Sequence, residues 1–315
     1  MPQYAIIGAG QLGSRHLQSL ASTESKIWVY DPFEPSLFMA KNRLSEIKLN
    51  AEVEFSTGFD SAPKDIDLVV IATNSDVRLD CIKKLVPRSA VKNMILEKVL
   101  FNKLGDYVET KNIIETHNIS TWVNCPRRAW EIYKQIKALK QPESQVSISV
   151  HGGEFGLGSN AIHFLDLISS LIPNEFLKSV NMDAIDSEII ESKRKNFKEI
   201  TGTLRADFSA GSNINIHFHK NSQAPICMMI TFDKIQFCID EPNKLCRKYE
   251  NSVMTETSFE IPFQSQLTSK AAESILSFKT CDLTPYSESM GLHVPFIKSF
   301  LKFMKKENNE ICPIT

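Results

Sequence analysis

Over its first 122 residues the chain alternates short apolar runs with amphipathic stretches. The runs fall at Tyr4–Ile7, Lys26–Tyr30, Asp67–Thr73, Asn93–Lys98 and Ser120–Val123. Some, such as DLVVIAT at 67–73, carry no polar alternation, which suits strands covered by helices on both faces. Helical stretches lie between them, at Gly13–Ala21, Pro35–Ile47 and Val77–Leu85. Strand and helix in turn predict an α/β fold with a doubly wound parallel sheet.

After about Val123 the pattern changes. Two helices are expected, at Arg128–Leu139 and Asn160–Leu171, and then strands dominate. Along SNINIHFHK, Ile214, Ile216 and Phe218 share one face, while Asn213, Asn215, His217 and His219 share the other. Period-two alternation of this kind describes a sheet packed on one side only. Helices return at Gln266–Ser277 and Val294–Lys305. A chain of 315 residues exceeds the roughly 250–300 at which a single core stops growing. Residues 1–122 and 123–315 are therefore expected to form two domains, the second of α+β type.

Composition narrows the functional classes. The net charge is −1, so no broad positive field gathers nucleic acid or anionic lipid. No run approaches the ~20 apolar residues of a membrane helix. The N-terminal apolar run is too short for a secretory signal and passes straight into glycines. Seven scattered cysteines without metal-ligand spacing suit reduced thiols, and a cytoplasmic location is expected. His217 and His219 share a strand face, but no Cys, Asp or Glu joins them there, which favours a polar sheet face over a metal site.

The strongest chemical signal is the stretch AIIGAGQLGSRHLQSL. Gly8, Gly10 and Gly13 have the G-x-G-x-x-G spacing, between an expected strand and an expected helix. The first glycine permits the turn, the second lets backbone approach a pyrophosphate, and the third lets the helix pack on the strand. Gln11 and Leu12 complete the loop, and the helix N-terminus offers N–H groups to phosphate. Asp31 closes the next run, KIWVYD, where an acid would accept ribose hydroxyls and repel a 2′-phosphate. No arginine follows among Pro32, Phe33 and Glu34, so NAD is favoured over NADP.

Ligands of open α/β sheets sit outside the carboxyl ends of the strands. Thr73 and Asn74, at the end of the third run, and Glu97 and Lys98, at the end of the fourth, are expected beside the dinucleotide. A partly buried Lys98 near the nicotinamide would exchange a proton with a substrate hydroxyl. On the helix SNAIHFLDLISSL, the residues Ser159, Asn160, His163, Asp166 and Ser170 form one stripe without Lys, Arg or Glu. That composition suits a pocket wall better than a solvated face.

The glycine loop, the strand-end EKVL and the histidine–aspartate helix together resemble the Gfo/Idh/MocA oxidoreductases, over most of the chain. The resemblance implies a Rossmann domain followed by an open mixed β-sheet, often an oligomer interface. It implies hydride exchange with a hydroxyl or keto carbon of a sugar or nucleotide-linked sugar, including sugars of surface glycan synthesis. Lys98 falls on the family's acid/base lysine and His163 on its helix histidine. The segment VNCPRRAWEIYKQIK would contribute Asn124 and one of Arg127 and Arg128 to substrate binding. Three positions depart from the pattern: Ser159 stands for the usual Asp, Val99 for a proline and Arg78 for a histidine. A non-catalytic dinucleotide-binding regulator of the same fold is the alternative these departures keep open.

Overall fold

The computed structural model describes residues 1–307 and 310–315. Six strands of four or more residues and four helices come first: β1 (Gln3–Ile7), α1 (Gly13–Ala21), β2 (Lys26–Tyr30), α2 (Glu34–Leu44), β3 (Glu52–Ser56), β4 (Leu68–Ile71), α3 (Arg78–Leu85), β5 (Asn93–Glu97), α4 (Leu104–Thr116) and β6 (Ser120–Asn124). There follow α5 (Glu131–Leu139), β7 (Ser147–Gly152), α6 (Leu157–Leu171) and β8 (Leu177–Ile185). The strands β9 (Gly202–Phe208), β10 (Asn213–Phe218), β11 (Cys227–Phe232), β12 (Ile235–Asp240), β13 (Leu245–Glu250) and β14 (Val253–Ser258) come next. Two long helices, α7 (Gln264–Phe278) and α8 (Tyr286–Phe303), lie toward the end of the chain. None of the described helices is long and apolar enough to cross a membrane.

The chain divides into two compact units. The first joins Met1–Phe101 and Gly105–Asn124 to Pro262–Ser287; the second takes Asn102–Leu104, Cys125–Ile261 and Glu288–Thr315. The sequence boundary at 122/123 lies within two residues of the break at Asn124. Pro262–Ser287, expected in the second domain, instead returns to the first. Its helix α7 has an apolar side, Ala272 and Ile275, that belongs to the core built by Ile6, Leu17, Leu20 and Val29. Burying a side chain such as Leu17 or Leu20 contributes about 1.5–3 kcal/mol.

In the first unit the sheet order is β6-β5-β4-β1-β2-β3, all parallel, with Thr284–Pro285 antiparallel at the β6 edge. This is the doubly wound order with a crossover reversal beside β1. Its register puts Ile7 level with Tyr30 and with Ile71, and Ile71 level with Leu96. The residues that follow these strands therefore share the carboxyl edge of the sheet. β3 is an edge strand whose side chains are only half-buried or exposed, so EVEFS carries no apolar run to announce it.

The second unit holds an eight-stranded mixed sheet of order β8-β9-β10-β7-β11-β12-β13-β14, in which only β7 and β10 run parallel. Ile214, Ile216 and Phe218 are fully buried, whereas Asn213, Asn215 and His217 lie half-buried on the opposite face, as their alternation requires. α6 covers the apolar face, with Phe164 set edge-on to Phe218 at 6.2 Å. α8 starts at Tyr286, eight residues before the expected Val294, and runs through Pro295. Leu292, Phe296, Ile297, Phe300 and Leu301 are buried along it at helical spacing, and that stripe sustains the helix across the proline.

Candidate functional site

The glycines of the first loop have separable tasks. Gly8 has φ +90°, a conformation that disfavours any Cβ, and its N–H donates to the Tyr30 carbonyl at 2.8 Å. A Cβ on Gly13 would lie 1.7 Å from the Gly8 carbonyl oxygen, so only glycine lets α1 start there. Gly10 differs: a Cβ would meet nothing within 4 Å. No protein atom needs its side chain absent, so packing does not account for this glycine, and close approach of a pyrophosphate would. Thr73 supports the same reading, because its Oγ1 is buried without a protein hydrogen-bond partner.

Asp31 is tied to this loop. One carboxylate oxygen accepts from the Ala9 N–H at 2.8 Å and the other from the Phe33 N–H at 2.9 Å. The half-buried carboxylate is thus held at the carboxyl edge beside the glycine turn. Arg43 of α2 also reaches the loop, donating to the Gln11 carbonyl at 2.7 Å, the Gln11 side chain and Ser14 Oγ. Burial and then the neighbouring Arg15 hold its pKa below the ordinary arginine value. Sequence pattern carried no signal for Arg43, since it sits in a helix among other polar residues. Gln11 itself is exposed and Leu12 half-buried at the head of α1.

At the ends of β4 and β5, Thr73 is half-buried, Asn74 exposed and Lys98 half-buried, and the Lys98–Val99 peptide bond is cis. Arg78, almost wholly buried, ties these two strand ends together: its guanidinium donates to the carbonyls of Thr73, Val99 and Leu100. Three carbonyls solvate the buried charge, and this explains an arginine where the family resemblance led one to expect a histidine.

Glu97 and Asn124 depart from their expected parts. The Glu97 carboxylate turns inward, where Oε1 meets His16 Nε2 at 2.8 Å and accepts from Asn124 Nδ2 at 2.5 Å. Asn124 Nδ2 also donates to Gln264 Oε1 at 3.0 Å. Both side chains are buried in this network, so neither is presented to a dinucleotide or a substrate. Burial pushes the Glu97 pKa up, but His16, Asn124 and Lys98 together bring it below the ordinary carboxylate value. Only folding shows this, because His16, Glu97, Asn124 and Gln264 are far apart in sequence.

In the second unit the α6 stripe splits. His163 and Ser159 are half-buried, whereas Asp166 is almost fully buried and paired with Arg128 at 2.9 Å. Arg128 also meets Glu288 at 2.5 Å. Asp166 is therefore held as a buried counter-ion of Arg128. Asn160 donates to the Phe155 carbonyl and, at 3.1 Å, to that of Gly156, and so closes the first turn of α6. Arg127 makes a bidentate pair with Glu241, both bonds 2.9 Å, and lies over the Phe164 ring at 4.4 Å. Burial disfavours its charge, but Glu241 outweighs that and raises its pKa. Each arginine of the pair thus has carboxylate partners within the second unit. A carboxylate absent from the sequence expectation does stand at the head of α6: Glu199 accepts from the Ser159 N–H at 3.1 and 3.2 Å.

No family model matches the chain, and no curated relative does either. Solved structures match over nearly the whole length. UDP-N-acetylglucosamine 3-dehydrogenase of Acidithiobacillus ferrooxidans is 12% identical with a TM-score of 0.73, covering 95% of this chain and 96% of that one. Scyllo-inositol dehydrogenase of Lactobacillus casei, solved with NAD(H) and scyllo-inositol, is 17% identical with a TM-score of 0.69, covering 96% of each. A super-repressor mutant of Gal80p from Saccharomyces cerevisiae is 12% identical with a TM-score of 0.71, covering 97% of this chain and 96% of that one. The chain thus shares the two-domain fold of these solved structures, a doubly wound parallel sheet followed by a second, mixed sheet.

Proposed function

We propose that the chain is an NAD-dependent oxidoreductase acting on a hydroxyl or keto carbon of a sugar-like substrate. The single observation that carries this reading is the glycine turn itself, with Gly8 at φ +90°, α1 starting against its carbonyl at Gly13, and the Asp31 carboxylate accepting from the Ala9 N–H at 2.8 Å. Gly8, Gly10, Gln11, Leu12 and Gly13 would hold the pyrophosphate of NAD, Asp31 its adenosine ribose, and Thr73 and Asn74 its remainder. When bound, the nicotinamide supplies a hydride acceptor or donor. Lys98, half-buried at the end of β5, gives or takes the hydroxyl proton. In the second unit His163, half-buried on α6, is assigned a catalytic part at the substrate, and Asn160 and Asp166 of the same helix are assigned to substrate binding. The carboxylate at Asp31 disfavours a 2′-phosphate, hence NAD before NADP.

The solved relatives of this fold include enzymes of a nucleotide-linked sugar and of a cyclitol, which supports a polyhydroxylated substrate, with surface glycan synthesis as the setting. Self-association through the open face of the second sheet, where Met229, Tyr249 and Met254 are exposed, belongs to the same proposal, as does a cytoplasmic location. The likeness to a repressor favours one alternative, dinucleotide binding without turnover.

A fluorescence titration with NADH, followed by turnover assays on a panel of sugar nucleotides, separates the two readings. Lys98→Ala is expected to reduce turnover at least 100-fold while changing NADH affinity less than about threefold. NADH uptake without turnover on any substrate would favour the regulator. Failure to take up NADH at millimolar concentration would remove both readings.

A further inference from the structure

His16 and Glu97 form a pair in the first unit that the proton transfer assigned to Lys98 does not itself involve. Their side chains are only 1% and 4% exposed, and Nε2 lies 2.8 Å from Oε1. Taking a carboxylate out of water costs several kcal/mol unless a partner compensates, so a buried acid of this kind needs a reason. Its position suggests one. Glu97 immediately precedes Lys98, and His16 lies on α1, the helix that opens at the glycine loop. Asn124 from β6 and Thr268 and Gln264 from α7 complete the surroundings, and all three are uncharged. Of the groups that act on the Glu97 carboxylate, His16 and Lys98 are charged or titratable.

The hydrogen bonds of His16 can be counted. Nε2 faces a carboxylate and must donate to it. Nδ1 lies 2.8 Å from Thr268 Oγ1, and that hydroxyl has a second acceptor, the Gln264 carbonyl at 3.3 Å. Rotation of one hydroxyl therefore accommodates His16 as imidazole or as imidazolium. In both states Nε2 donates to Glu97, and the carboxylate stays ionised beside Lys98.

We propose that His16 is a positioning residue for Lys98, which through Glu97 maintains a fixed negative charge at the root of the lysine and anchors its strand end to the dinucleotide helix. The proposal rests on the assignment of Lys98 as the acid/base. Without His16, the buried Glu97 carboxyl takes up a proton, and Lys98 loses the charge of Glu97 beside it in the chain.

The test reads Lys98 itself and needs no substrate. Trace acetylation of the full chain with acetic anhydride, followed by peptide mass spectrometry across pH, gives the titration midpoint of Lys98. Glu97→Gln removes the charge and keeps the shape; its midpoint should fall by about one pH unit. His16→Ala should fall similarly, and His16→Gln, which keeps a donor for Glu97, should stay near the wild-type value. Should His16→Ala not fold, the Glu97→Gln and His16→Gln pair decides alone. Equal midpoints in wild type, Glu97→Gln and His16→Gln overturn the proposal, as does a fall in His16→Gln as large as in Glu97→Gln. Failure of the oxidoreductase reading would be seen elsewhere, as absent NADH uptake.

Discussion

Single residues show most clearly where protein architecture ends and ligand recognition begins. Gly13 and Gly10 belong to one motif but answer to different constraints: the Gly8 carbonyl excludes a side chain at the first, and open space surrounds the second. Gly13→Ala should therefore destabilise the first unit by about 2 kcal/mol or more, through a backbone clash that only displacement of α1 relieves. Gly10→Ala should change stability by less than about 0.5 kcal/mol and yet weaken NADH binding roughly tenfold or more. Urea denaturation and a fluorescence titration on the same two variants check both halves. If Gly10→Ala bound NADH as wild type does, the loop would not be shaped for a diphosphate.

At the scale of elements, charged side chains fasten secondary structures to one another. Arg128 joins the segment after β6 to Asp166 of α6 and Glu288 of α8, and Arg127 joins the same segment to Glu241 after β12. Tyr133 of α5 adds a hydroxyl to Glu241 at 2.7 Å, and burial, with Glu241 next, raises its own pKa well above the ordinary value. Removing Asp166 takes from Arg128 its buried counter-ion and leaves it the more exposed Glu288. Asp166→Ala should thus cost about 3–5 kcal/mol, far more than truncation of a surface residue on the same helix. A calorimetric or urea measurement that found under 1 kcal/mol would show that Glu288 alone compensates Arg128.

For the whole molecule, pH acts through its buried and paired carboxylates. Glu97 has a pKa below the ordinary 4.5, despite burial, because of His16, Asn124 and Lys98. Asp67 is lowered as well: burial opposes this, but Lys92 and the Gln3 N–H outweigh it. Asp207 is lowered first by its hydrogen bond to Arg205. A group depressed on folding adds stability above its unfolded pKa, and this is lost as pH falls through the folded value. Denaturation midpoints should therefore be flat from pH 7 to about 5 for these groups and fall below the ordinary carboxylate range. Glu97→Gln should make that acid limb shallower; an equally steep limb would show that Glu97 titrates alike in both states. Two units are present, so the transitions need to be followed by probes of each.

Much of this was legible in the chain as written. Continuous apolar runs can become strands only if both faces are covered, and G-x-G-x-x-G after such a run fixes a turn, a helix start and an open loop. These are local constraints, so β1, α1, β2 and the placement of Asp31 and Lys98 on one sheet edge follow from neighbouring residues. Alternation alone likewise set which face of β10 is buried. The destinations of Glu97, Asn124, Arg127 and Asp166 were not legible, because each depends on a partner at least 27 residues away. A polar stripe on α6 reads the same whether it lines a pocket or meets an arginine. The return of α7 to the first unit was hidden for a similar reason: an amphipathic helix shows that it needs an apolar surface but not whose. Residue order determines local conformation and the hydrophobic face of each element. Only the folded chain decides which buried charges meet, since pairing energies arise from three-dimensional proximity and lost solvation rather than from position in the sequence.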